Sequence, residues 1–489
     1  MSLPEQLGSR FRAEFVGLVV ATVAGGLLVF LLARLLEPDA YGTLFLAISI
    51  LTVVGIFSKL GIAKSAARYV AMYREDDPGQ VPHILERSAL VTVLTLGIVS
   101  LVLAVGHEHI SELVGEAGIA TLLLWGALFV AFEATTTFTR SIAQGFEDIE
   151  LAATVKAIDM GGRLLFAVGF VALGYGALGA LGGYIAGSLV ASAIGIGVLY
   201  RRHYRPSPRA ARMESGLTRR ILEYNVPLTV TGVAGKVDKD VDTILVGFFL
   251  NPAAVGFYVL SKQIVEFVQM PASALGFSIS PTYGKQKAAS ELDTAASLYE
   301  ASLKYSLLLY VPAAVGIFVV AEPAVTGIFG AEFAGAVAVL QVLSVYAVLQ
   351  ALTKITDHPL NYLGRARERA IAKGIASTAN VGLNVLLIPT VGVVGAAIAT
   401  VLTHSFYVAV KLYIVATELP LDTGRIGSDL GTVCVVTGGM SVVLWLAFPY
   451  VTGLLSLAAV VGLAVATWGS LAIAVGAVDL EMVRRTVRS

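Results

Sequence analysis

Charge is scarce in this chain. Asp, Glu, Lys and Arg make up 14% of its 489 residues, against 56% apolar ones. A water-soluble domain of this length would need far more charge to stay dispersed. Cysteine is scarcer still: Cys434 stands alone, which excludes an internal disulfide and any cysteine-built metal cluster. In its apolar run it reads as a small buried residue. No HExxH, GxSxG or P-loop motif occurs, and no polar stretch is long enough for a soluble catalytic domain. The six His residues are scattered, with His107 and His109 expected in an external loop. An enzyme, a cofactor and a metal site are therefore not expected. Formal net charge is zero and by itself names no partner; no nucleic acid is expected.

Apolar residues arrive in blocks of about twenty, the thickness of a bilayer's hydrocarbon core. Mean hydropathy is +0.81. Arg10 and Arg12 precede an apolar stretch from Phe15 to Ala33 that is too long for a signal peptide and lacks a cleavage site, so it reads as a retained first span. The fold class expected is all-α, a polytopic membrane protein with about fourteen transmembrane helices. They fall near 13–36, 43–66, 88–106, 118–139, 152–173, 177–199, 220–249, 255–280, 299–320, 333–356, 369–388, 393–415, 430–449 and 453–476. Pro227, Pro271 and Pro312 inside them are tolerated, because neighbouring helices satisfy the freed backbone groups.

Positive charge alternates across the loops. One side takes Arg10 and Arg12, then Arg68, Arg74, Arg87, Arg140 and Lys156, then the arginines of 201–220. It continues with Lys285, Lys287, Lys304, Arg365, Arg367, Arg369, Lys373, Lys411, Arg425, Arg484, Arg485 and Arg488. The other side holds Arg34 with Glu37, Asp39, Glu108, Glu112, Glu116, Glu322 and Glu332. This positive-inside pattern places both termini in the cytoplasm of a multi-pass cell-membrane protein.

Two stretches repeat. Leu36-Glu37-Pro38-Asp39-Ala40-Tyr41-Gly42 returns as Leu250-Asn251-Pro252-Ala253-Ala254-Val255-Gly256, and Tyr175–Ala180 returns as Val391–Ala396. Six helices per half is an even number, so the halves run parallel. The expected organisation is an N-lobe over 1–200, an Arg-rich cytoplasmic linker over 201–219, a C-lobe over 220–416, and two further helices with a tail over 417–489. Such lobes suggest alternating access, with substrate held at their interface near the midplane.

The seven cations left over from that loop assignment fall inside expected spans: Lys59, Lys64, Arg163, Lys236, Lys239, Lys262 and Lys354. A charge at mid-bilayer costs at least about 2.5 kcal/mol, so each should face protein or water. The seventh span is densest: Lys236, Lys239 and Asp240 share one arc of the helix, with Asp238 and Asp242 on the opposite arc. Lys236–Asp240, Lys239–Asp242, Lys262–Glu266 and Asp159–Arg163 have the spacing of intrahelical pairs, so purely structural neutralisation is the alternative. Lys64 and Lys354 are also placed to snorkel, and Arg34 to anchor at the interface. Glu133 has no partner in its own helix and is a candidate for protonation or for a cross-helix pair. A substrate cavity lined by Lys59, Lys64, Arg163, Lys236, Lys239, Asp240, Lys262, Lys354 and Arg34 suits an anionic headgroup, whose phosphate oxygens accept from Lys and Arg. Glu133, Asp159, Asp238, Asp242 and Glu266 are candidates for coupling or ion pairing.

Four stretches carry a family resemblance: Arg34–Phe45; Asp242–Gly247 followed by Val255–Tyr258; Ala143-Gln144-Gly145-Phe146-Glu147; and Leu360–Gly364 leading to Leu387-Ile388-Pro389 and Val394–Thr400. In their order and spacing the chain resembles, over its whole length, the polysaccharide exporter and oligosaccharide flippase family of the multidrug/oligosaccharidyl-lipid/polysaccharide superfamily. The resemblance implies a V-shaped pair of lobes that moves undecaprenyl- or dolichol-linked saccharides to the outer face. It implies partners among glycan-assembly enzymes, and it names no particular sugar and transfers no catalytic signature. A cation-coupled multidrug exporter of the same superfamily is one rival. A membrane-embedded saccharide polymerase or transferase, which would need a large external loop with catalytic acids, is the other.

Overall fold

The structure, a computed structural model, describes the backbone of residues 3–59, 61–269 and 292–477, and their side chains except at 3–18, 226–238, 358 and 362. Among the described residues every regular element is helical. The helices are α1 (Leu3–Leu35), α2 (Pro38–Val54), α3 (Ile56–Lys59), α4 (Ile62–Asp76), α5 (Val81–Val114), α6 (Ile119–Gly145), α7 (Ile149–Phe170) and α8 (Gly176–Leu199). They continue as α9 (Leu217–Phe249), α10 (Pro252–Val268), α11 (Leu292–Phe329), α12 (Ala336–Tyr362), α13 (Ala366–Val391), α14 (Val393–Glu418), α15 (Thr423–Ala447) and α16 (Leu454–Ala474).

Each of the fourteen expected spans has helix among its described residues; 270–280 of the eighth, with Pro271, lie outside them. Among the described residues 10 stretches are long and apolar enough to cross a membrane, and one of them, Ile149–Tyr204, contains both the fifth and the sixth expected span. The first and seventh lie on α1 and α9, and the described part of the eighth starts on α10. The exterior is apolar: Leu455 is 90% exposed, and Val105 and Trp445 are each 74% exposed, while Asp159 and Lys411 are buried. That inversion is what acyl chains, not water, would solvate. The chain is a polytopic helical membrane protein.

Three details depart from the sequence reading. The second span is not one helix: it stops at Val54, runs through the short α3, and restarts after Gly61, whose φ of +67° a side chain would resist. His107 and His109 lie within α5, which runs on to Val114, not in a loop. Cys434 is exposed, because on a membrane helix the apolar face turns outward to lipid.

The chain separates into two compact units, Met1–Gly256 and Phe257–Ser489. In the first, α9 packs on α2, α4 and α5. Ser65 Oγ donates to the Ile221 carbonyl at 2.9 Å, and Arg68 stacks 4.3 Å from the Tyr224 ring centroid. The two repeated turns meet here. The Pro252 carbonyl sits against Gly42 and the Pro38 carbonyl against Gly256; a Cβ would lie 1.7 Å and 2.6 Å from these oxygens. Turns in direct contact lie on the same side of the membrane. Each opens a helix with Pro in its first turn, where the missing N–H has no intrahelical partner to lose.

The Arg-rich segment after α8 folds back on the first unit. The Ala210 amide donates to the Gly79 carbonyl, Gln80 Nε2 donates to the Arg212 carbonyl, and Arg209 pairs with Glu86. Tyr73, Glu214 and Arg220 form a second clasp. Asp148 is a third: its Oδ1 accepts the Leu151 amide and so caps α7, while its Oδ2 lies 2.9 Å from His203 Nε2. Burial pushes the Asp148 carboxyl up, but the bonds from His203 and Leu151, with the charge of Arg202, hold it below the ordinary aspartate value. A lowered carboxylate contributes stability above the ordinary value, about 3.9, and loses it as pH falls through the lowered one. Asp148→Ala should therefore cost about 1 kcal/mol of thermal stability at neutral pH. In unfolding scans against pH, the deficit should shrink once the pH drops below the ordinary aspartate range.

Candidate functional site

Both units carry charge inside their helical packing. In the first, the break in the second span turns Lys59, the last residue of α3, toward α6, where it forms an ion pair with Glu133. Glu133, a candidate for a cross-helix pair in the sequence, is thus paired across the bundle. Both side chains remain more than a quarter exposed, so the pair borders an accessible space.

Asp159 and Arg163 make the expected i,i+4 pair on α7, with Nε donating to Oδ1 at 2.9 Å. Ser188 on α8 closes it: Arg163 Nη2 donates to Ser188 Oγ at 3.0 Å, and that hydroxyl donates to Asp159 Oδ1 at 2.8 Å. The guanidinium also lies 5.3 Å and 5.4 Å from the ring centroids of Phe129 and Tyr184. Gly187 permits this closure, since a Cβ there would sit 2.4 Å from the Arg163 backbone nitrogen. Asp159 and Arg163 are 5% and 8% exposed. The structure holds Arg163 as a buried brace between α7 and α8, with little surface left for a ligand.

Arg140, Lys156 and Lys411, assigned to loops by the charge pattern, lie inside α6, α7 and α14. Lys411 is fully buried: its Nζ lies 2.8 Å from Asp357 Oδ1, donates to the Thr353 carbonyl at 2.7 Å, and sits 5.1 Å from the Tyr407 ring centroid. Arg369 Nη1 reaches the same Asp357 oxygen at 3.2 Å, and Lys373 lies 5.3 Å from the same Tyr407 ring. Two cations, from α13 and α14, thus share one carboxylate of α12, with Lys373 on the Tyr407 ring that Lys411 also faces. Beside them a polar ladder runs from Asn384 through Asn380 to Thr403.

Lys354 is half-buried on α12 within electrostatic reach of Glu266 on α10. Lys262, also half-buried, has its Nζ 5.7 Å from the Tyr258 ring centroid. On α9, Lys239 is exposed, Asp240 half-buried and Asp242 buried. Lys236 and Asp238 lie outside the described side chains. Arg34, in the last turn of α1, and Lys64, in the first turn of α4, are exposed. The sequence reading missed Arg140, Asp357, Arg369, Lys373 and Lys411 as interior groups. Lys411 could have been found, since it stands in the apolar run Tyr407–Ala416 rather than at its edge.

Residues 15–285, more than half of the chain, match the family described as polysaccharide biosynthesis protein. The chain belongs to this family. It is 25% identical over 398 residues, 80% of each chain, to the probable low-salt glycan biosynthesis flippase Agl15 of Haloferax volcanii. It is 26% identical over 378 residues to the probable lipid II flippase MurJ of Rhizobium meliloti, covering 72% of this chain and 67% of that one. Among solved structures, a lipid II flippase MurJ in an inward closed conformation superposes with a TM-score of 0.74 at 15% identity, covering 94% of this chain and 97% of the other. That likeness shows the fold alone: this family member shares its helical architecture with the solved structure.

Proposed function

We propose that the chain is a flippase, not an enzyme, that moves an anionic lipid-linked oligosaccharide from the cytoplasmic to the outer leaflet by alternating access. The observation that carries this reading is the likeness, over four fifths of both chains, to a protein named as a glycan biosynthesis flippase. The charge pattern supports it. The Asp357 group holds more cations than acids, and the Lys59–Glu133 pair borders accessible space. A phosphate or pyrophosphate headgroup matches that balance, whereas a cationic drug would be repelled by it. With both termini cytoplasmic, as the loop charges favour, outward passage of one negative charge releases about 2.3 kcal/mol per 100 mV across a cell-negative membrane. The two repeated lobes are the moving parts in this account. Lys59, Lys239, Lys262 and Lys354 face the headgroup, Arg34 and Lys64 meet it at the membrane surfaces, and Arg163 with Asp159 braces the first unit.

The test is ligand-induced stabilisation of the purified protein. A polyprenyl-pyrophosphate-linked saccharide should raise the Tm in a concentration-dependent way, and ethidium should not. Stabilisation by ethidium alone would replace this reading with drug export.

A further inference from the structure

We infer that Arg140 is the residue of the first unit that grips the phosphate of the transported headgroup. The assignment rests on the flippase reading and adds to it a ligand that the sequence had placed in a loop.

Arg140 lies on α6 seven residues after Glu133, which is two helical turns along the same face and about 10 Å away. Its charge acts on Asp159 and on Glu133, so the guanidinium belongs to the same polar interior. Yet both carboxylates are already engaged. Glu133 holds Lys59, and Asp159 holds Arg163 and Ser188. Among the described residues no hydrogen bond or ion pair reaches Arg140, and its Nε is buried without a hydrogen-bond partner.

A guanidinium offers five donors in a fixed fork, and the Nε of this one is buried without a hydrogen-bond partner, which is costly. An arriving anion therefore gains most at this group. Arg163, by contrast, would have to break two short bonds before it could accept one. The planar fork matches two phosphate oxygens at once. Arg140 is five residues from the Gly145 end of α6, about 8 Å along the axis. In the proposed orientation that end is cytoplasmic, so the residue is placed for loading.

The internal duplication sharpens the contrast. Ala134, Thr136 and Thr139 lead to Arg140; Ala351, Thr353 and Thr356, at the same spacing, lead to Asp357. At the equivalent position the second half carries a carboxylate held by Arg369 and Lys411, so the unmatched donor belongs to the first half.

The test measures binding of undecaprenyl pyrophosphate and of undecaprenol to the purified full-length chain, for wild type, Arg140→Gln and Arg140→Lys. The expected result is a tenfold or greater loss of pyrophosphate affinity in Arg140→Gln with undecaprenol affinity unchanged, and a partial loss in Arg140→Lys. Should Arg140→Gln fail to fold, Arg140→Lys decides by the same comparison. A wild type that prefers the pyrophosphate while the folded variants bind it equally well overturns the assignment alone. A wild type that binds both lipids alike overturns the flippase reading and the assignment with it.

Discussion

Gly42→Val should leave little monodisperse protein after extraction into detergent. A Cβ at 42 would fall 1.7 Å from the Pro252 carbonyl oxygen, 2.6 Å from its carbon and 2.8 Å from the Gly256 nitrogen. All three are backbone atoms, so no rotamer change can relieve the clash. The two repeated turns must separate, and α1–α2 and α9–α10 must move with them. Overpacking in a closed interior costs typically 1–3 kcal/mol, and a backbone collision belongs at or above the top of that range, about 3 kcal/mol. Close approach of helices through small residues is also a principal source of stability where the hydrophobic effect between helices is weak. Gly256→Ala should do less harm, since its nearest contact is 2.6 Å. Gly97→Ala is the control: nothing lies within 4 Å of its Cβ, and helix propensity alone should leave it neutral or slightly stabilised. Thermal unfolding of the three purified variants gives the ranking. A Gly42→Val protein as stable as wild type would show that the turns do not touch.

The second large effect concerns Asp159 and Arg163. Asp159→Ala leaves a guanidinium that is 8% exposed with Ser188 as its remaining polar contact. Removing one partner of a buried ion pair costs about 3–5 kcal/mol, because the other charge stays behind unpaired. Replacing both by apolar residues is often neutral. The double variant Asp159→Leu/Arg163→Met should therefore recover most of the lost stability, and a double-mutant cycle should return a strong coupling energy. Transport should survive in that double variant, because Arg163 is a brace in this account. Loss of transport in a stable double variant would restore Arg163 to the cavity.

How far the sequence could be read follows from which forces act locally. Hydropathy over twenty residues is local, so the fourteen spans fall on helix wherever their residues are described, apart from the break in the second. The family turns at Leu36–Gly42 and Leu250–Gly256 were visible as an echo, but their contact was not, because it depends on two carbonyls brought together by four helices. The break at Gly55 and Gly61 was hidden because Gly is common within membrane helices, so neither glycine marks a left-handed turn by itself. The i,i+4 pair Asp159–Arg163 was legible and its closure by Ser188 was not. Glu133 signalled a missing partner without naming it. Arg140, one residue beyond the expected end of its span, was misread because helix ends blur into loops, and Lys411 because a count of positive charge rewards placing a cation outside the membrane.

The central claim is movement of a lipid-linked saccharide between leaflets. Its most direct measurement uses proteoliposomes of known protein orientation, loaded with a fluorescent polyprenyl-pyrophosphate saccharide and probed with a membrane-impermeant quencher. The account predicts protein-dependent transfer of label from the leaflet at the cytoplasmic face to the opposite one, faster when the receiving side is positive and at least tenfold slower in Arg140→Gln. Label that stays in its leaflet at the rate of protein-free vesicles, with the purified protein folded and correctly inserted, would contradict it.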